Sequence, residues 1–271
     1  MAIDKLQNDK LYMNTIKAKS PLEELRVVLE ICANSFPSAL EAEKGGATRV
    51  ELCGNMAEGG TTPSYAQIKL CKEKLNIQVW PILRPRGGDF LYSNDEFELM
   101  KEDIKICKSL NCDGVVTGIL LANGEIDKIR CAELIELAKP MPISFHRAFD
   151  MSNNLEKSLE DLIELGFVRV LTSGGAENAL NGIETVSRLV KQANDRIEIM
   201  PGAGINPQNI SEIASQTGAK NFHSSARVVV KSKMKYRNQT SKMGSIEDEY
   251  QYQQTSAELV KQMVEKLKWE D

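Results

Sequence analysis

The chain has 271 residues, 42% hydrophobic and 27% charged, a composition that buries a sizeable core and excludes general disorder. Its 34 basic and 38 acidic residues leave a net charge of −4, which argues against a general nucleic-acid binder. The best apolar run, Gly114 to Ala122, falls far short of the ~20 residues that cross a bilayer, so no membrane partner is expected.

Residues 1–24 are polar and basic without an apolar signal region, and read as a flexible N-terminal extension. The six cysteines include no CxxC pair, which suits reduced thiols in a cytoplasmic protein. Short β-branched runs then alternate with helical patterns. The predicted strands are Arg26–Ala33, Thr48–Cys53, Gln78–Arg84, Gly114–Leu120, Pro142–Phe149, Arg169–Ser173, Glu198–Pro201 and Asn221–Ala226. Amphipathic segments such as Asp95–Leu110 and Leu155–Leu165 lie between them, with apolar residues three and four apart. Eight strand–helix units in about 250 residues predict an α/β fold, a (β/α)8 TIM barrel, as a single domain over residues 25–271. No glycine-rich dinucleotide turn follows the first strand, which weakens a doubly wound sheet. Residues 228–252 read as a polar, irregular loop, followed by an appended last helix, Thr255–Trp269. The basic stretch Lys231 to Arg237 within that loop suits a solvated segment or an oligomer contact.

Strand residues alternate faces, so one phase of each barrel strand points into the lumen. With Leu29, Ile31, Val50 and Leu52 on the helix side, Glu30, Cys32, Glu51 and Cys53 point inward. The same alternation sends Ile82, Arg84, Ser144, His146, Glu198, Met200, His223 and Ser225 into the lumen. Barrel lumens are ordinarily filled by branched apolar side chains, whereas unpaired buried charges cost several kcal/mol each. The inward charges therefore form a stabilising ion network, such as Glu51 with Arg84, or serve chemistry. Glu30, Glu51, Arg84, His146, Arg147, Asp150, Glu198 and His223 are the candidates for proton transfer and substrate contact.

The repeated Glu-x-Cys of the first two strands brings two thiols within reach of one soft ion, or simply supplies two small core residues. The other four cysteines read as packing. Arg84 and Arg86, with Gly87 and Gly88 in the same loop, can grip a carboxylate or phosphate. The segments around Ser173-Gly174, Gly202 and Gly204, and Ser225 with Arg227, end strands six to eight, where barrels cradle anions on backbone N–H groups.

Together these segments resemble the CutC family. The matching pieces are LEIC, RVELC, EGGTTPS, RPRGGDFLYS, FHRAFD, VLTSGG, IMPGAGI, FHSSAR and MKYRN, with Met243-Gly244, in family order from Glu30 to Gly244. The resemblance implies a cytosolic TIM barrel, a homo-oligomer in many members, that binds copper and aids copper tolerance. It implies Cu(I) ligands at Cys32 and Cys53. Ser224 stands where the family frequently has a further cysteine. Three readings follow: a Cu(I) homeostasis protein, an enzyme using acid–base chemistry on a small anionic or phosphorylated metabolite, and a scaffold without a small-molecule site.

Overall fold

A computed structural model describes residues 27–241, 243 and 248–268 of the chain. The N-terminal extension expected over 1–24 lies outside these residues, as do Arg26 and Trp269 at the ends of two predicted elements. The described chain runs β1 (Val28–Ala33), α1 (Phe36–Lys44), β2 (Arg49–Leu52), α2 (Tyr65–Lys74), β3 (Gln78–Pro81), α3 (Asn94–Ser109), β4 (Val115–Thr117), α4 (Lys128–Ala138), β5 (Ile143–Phe145), α5 (Leu155–Leu165), β6 (Arg169–Thr172), α6 (Ile183–Ala193), β7 (Glu198–Pro201), α7 (Ile210–Thr217) and β8 (Asn221–Ser224). A hairpin of β9 (Arg227–Lys231) and β10 (Gln251–Thr255) follows, and α8 (Ala257–Leu267) ends it.

Side-chain caps start the helices where the sequence supplies them. Ser93 and Glu96 close a reciprocal capping box on α3, and Ser35 caps α1 just ahead of Pro37. The strands pair in parallel as β3-β2-β1-β8 and β4-β5-β6-β7. An Ile82–Val116 bridge joins β3 to β4, and β7 lies against β8. This is the (β/α)8 barrel, with Ile31, Val50, Leu52 and Phe222 turned out onto the helix layer.

Two expectations change. The segment read as irregular loop contains the antiparallel hairpin, in which Val230 pairs with Tyr252 and Val228 with Gln254. Its two arms are separated by a polar stretch too long for the local turn signals that betray a hairpin. The last helix starts later than predicted, because Ser256 caps it while Thr255 still belongs to β10. It is not an appendage. It packs between α7 and α1 as the eighth barrel helix, so closely that a Cβ on Gly45 would lie 2.5 Å from Val260.

Candidate functional site

The lumen has two polar layers, distinguished by how far along each strand their residues lie. The lower layer is built around Glu30 at the middle of β1. Its carboxylate pairs with Arg49 of β2 and His223 of β8, the latter at 2.8 Å, and lies 3.8 Å from Arg169 on the far wall. Arg169 also pairs with Glu198 at 2.9 Å, while Arg49 donates to Asn221 and to the Met200 sulfur. Trp80 forms the floor between them, its ring 4.6 Å from the Arg169 guanidinium carbon and 5.8 Å from that of Arg49. A Cβ at Gly114 would strike this ring at 2.5 Å, so β4 is preceded by a gap that admits the indole. Burial opposes ionisation of Glu30, but Arg49, His223 and Arg169 together hold its carboxyl well below the usual range. Arg49, Arg169 and Trp80 were not among the sequence candidates. Extending the alternation two residues back from Glu51 and Ile82 finds Arg49 and Trp80.

One layer higher, three sulfurs converge. Cys32 Sγ and Cys53 Sγ are 3.5 Å apart, and Met56 Sδ lies 3.7 Å from the first and 3.0 Å from the second. Cys32 pairs in register with Glu51, so the thiols meet along a diagonal between β1 and β2. Met56 sits in the 3-10 turn Met56–Glu58 and caps the buried pair from the solvent side. The Cys32 thiol is pushed well above its ordinary range by its hydrogen bond with Cys53, then by burial and the Cys53 and Glu51 charges. Cys32, Glu51 and His223 also place one ligand atom each within 4.8 Å of one another. Burial, followed by the Glu30 charge, raises the Glu51 carboxyl, with His223 pulling the other way. Burial lowers the His223 imidazole, yet its bonds to Cys32 and Glu30 and the charges of Glu51 and Glu30 carry it well above its ordinary value.

Cys32, Glu51, Met56 and His223 border a mouth cavity of about 580 Å³. Arg84 lines it, with Nη1 donating to the carbonyls of Glu58 and Gly60 and Nη2 to that of Gly88, stapling the loops after β2 and β3, while its Nε is left without a partner among the described residues. No Arg84–Glu51 ion pair forms; the ion network of the lumen centres on Glu30 instead. His146, at the end of β5, is buried with Nδ1 accepting from the Ala148 amide. Burial, reinforced by the Arg84 charge, brings its pKa down to about 3. Arg147 donates to Asp150 and Ser173.

Asp150 changes the reading of the glycine loop after β6. Its carboxylate accepts from the amides of Ser173 and Gly175 and from the hydroxyls of Thr172 and Ser173. The expected anion cradle at Ser173 and Gly174 is therefore filled by the protein's own carboxylate. Gly202 serves packing, since a Cβ there would lie 2.5 Å from Leu171 and 3.1 Å from His223. Gly204, Ser225 and Arg227 do line the cavity. Arg86 is drawn aside by Glu96 and Asp89, and Glu30 and Glu198 lie below the cavity. Ser224 is in register with Ile31, its hydroxyl donates to the Ile205 carbonyl, and it borders the cavity.

The geometry defines a (β/α)8 barrel with a soft-donor cluster and a ligand-sized cavity at the C-terminal mouth of its strands. The sequence profile of the CutC family matches residues 27–228, and the chain belongs to that family. A CutC family protein of Parabacteroides distasonis is 51% identical over 242 residues, covering 88% of this chain and 99% of its own. A human protein named copper homeostasis protein cutC homolog is 47% identical over 218 residues, 80% of each chain. The crystal structure of a Streptococcus agalactiae protein titled as a copper homeostasis protein CutC superposes with a TM-score of 0.71 at 38% identity, covering 73% of this chain and 98% of that one.

Proposed function

We propose that the chain is a cytosolic copper homeostasis protein that takes Cu(I) as its cargo at Cys32, Cys53 and Met56. The observation that carries this reading is the convergence of two thiols and a thioether within 3.0–3.7 Å of one another. Three sulfurs around one ion at metal–sulfur bonds of about 2.3 Å stand about 4.0 Å apart, so the trio needs to spread by no more than about 1 Å. Thiolate and thioether donors select a soft, low-coordinate ion such as Cu(I). A closed zinc site takes four ligands, whereas the sulfur cluster supplies three, two of them thiols. A reducing compartment keeps both the thiols and the cuprous state available. The acid–base reading finds less support, since His146 does not titrate near neutrality and Asp150 is fully engaged.

Anaerobic Cu(I) titration against a chromophoric chelator tests the proposal. The wild type is expected to take up one equivalent, and Cys32→Ser/Cys53→Ser none. Equal stoichiometry in the two proteins would overturn it.

A further inference from the structure

The mouth cavity is much larger than an ion bound to three sulfurs requires. Its roughly 580 Å³ falls in the range of about 300–1,000 Å³ that holds small organic ligands, and Ile82, Phe90, Leu171 and Ile205 give it an apolar wall. On residues that line it, His146 Nε2, Glu51 Oε1, Arg84 Nε and the Arg227 guanidinium have no hydrogen-bond partner among the described residues. Because His146 Nδ1 accepts from a backbone amide, the neutral ring carries its proton on Nε2. That N–H is buried, with no acceptor in reach. Burying an unmatched donor costs about 1–3 kcal/mol, and a cation cannot relieve it because an N–H repels positive charge. Glu51 Oε1 is likewise buried without a donor. Arg227 lines the cavity, and among the described residues its guanidinium has no ion pair or hydrogen bond, unlike Arg84, Arg86 and Arg147.

We infer that the cavity above the sulfur cluster binds a small hydroxylated organic oxyanion, a sugar phosphate or sugar acid. The oxyanion pairs with Arg227; small rotations of the His146 and Glu51 side chains bring their buried Nε2–H and Oε1 to the cavity surface, where a ligand oxygen accepts from the first and a hydroxyl donates to the second. Each of these three groups receives the partner it lacks. The apolar wall takes the carbon chain. Arg84 and Arg147 stay tied to the protein and contribute positive potential without contact. The binding does not depend on the copper reading, because none of these three groups is one of the proposed sulfur ligands.

Isothermal titration of the metal-free protein with ribose 5-phosphate and with ribonate tests this, with ribose and inorganic phosphate as controls. One of the two five-carbon anions is expected to bind with a Kd below about 1 mM, and the controls about tenfold or more weaker. Arg227→Met and His146→Phe should each weaken it about tenfold, whereas Cys32→Ser/Cys53→Ser should leave it intact and so separate it from metal binding. Failure of both anions to bind the wild type overturns the inference. So does unchanged affinity in Arg227→Met, a partly exposed position whose replacement leaves the core untouched. Inorganic phosphate binding as tightly as ribose 5-phosphate would mean an adventitious ion only, and also overturns it.

Discussion

The two layers of the lumen use the same kinds of side chain and differ in how fully they pair their charges. Below, Glu30 faces Arg49, Arg169 and His223, and Arg169 in turn faces Glu198, so each charge meets an opposite one, with Arg169 Nη1 the one atom of this network left without a hydrogen bond among the described residues. Above, Glu51 and His146 are just as buried, yet each keeps a polar atom with no protein partner. A buried network that closes on itself fixes the barrel, whereas one left open reserves its bonds for something that arrives later. Stability and binding are thus assigned to different levels of a single lumen.

The largest way to break this contrast is to empty the lower layer's centre. Glu30→Leu leaves Arg49, Arg169 and His223 without their shared anion, and is expected to cost about 3–5 kcal/mol in urea unfolding. A loss below about 1 kcal/mol would mean that water reaches this layer. Gly114→Ala drives a methyl into the Trp80 ring and should cost about 1–3 kcal/mol by the same measurement.

The upper layer predicts a pH effect. His146 has a folded pKa of about 3, below its ordinary value of 6.5, so as pH falls the unfolded chain takes up the proton first. Its contribution is constant above the unfolded value and is lost between there and the folded value, by up to about 1.4 kcal/mol per pH unit. Comparing wild type with His146→Phe across that window isolates it, and parallel pH profiles would show the ring to be solvated. Met56→Leu keeps the volume and removes the thioether, so Cu(I) affinity should drop about tenfold while the melting curve barely moves. Smallest of all, Glu51→Leu should change unfolding free energy by less than about 1 kcal/mol, in either direction, because the carboxylate it removes is only half matched.

Much of this was legible in the sequence for one reason: period-two alternation is a strong signal where one face is apolar. Leu29 and Ile31 against Glu30 and Cys32 set the phase of β1, and Val50 and Leu52 did the same for β2. Arg49 lies one step back on the Glu51 phase, whereas Arg169 opens its strand, where no flanking pair defines a face. Met56 belongs to a 3-10 turn with no periodicity to read. The glycines after β6 carried a real anion signal, but nothing local reveals that Asp150, more than twenty residues earlier, supplies the anion itself. Long-range pairing is likewise what hid the hairpin and the true place of the last helix.

That helix has a consequence for how the chain is made. The amide of Thr255 donates to the Ser38 hydroxyl across 217 residues of sequence, and α8 then seats against α1. During synthesis the groove beside α1 emerges long before the helix that covers it. A contact of such sequence separation makes ring closure a late and slow event. The nascent barrel therefore carries an oily seam beside α1 until α8 arrives to seal it.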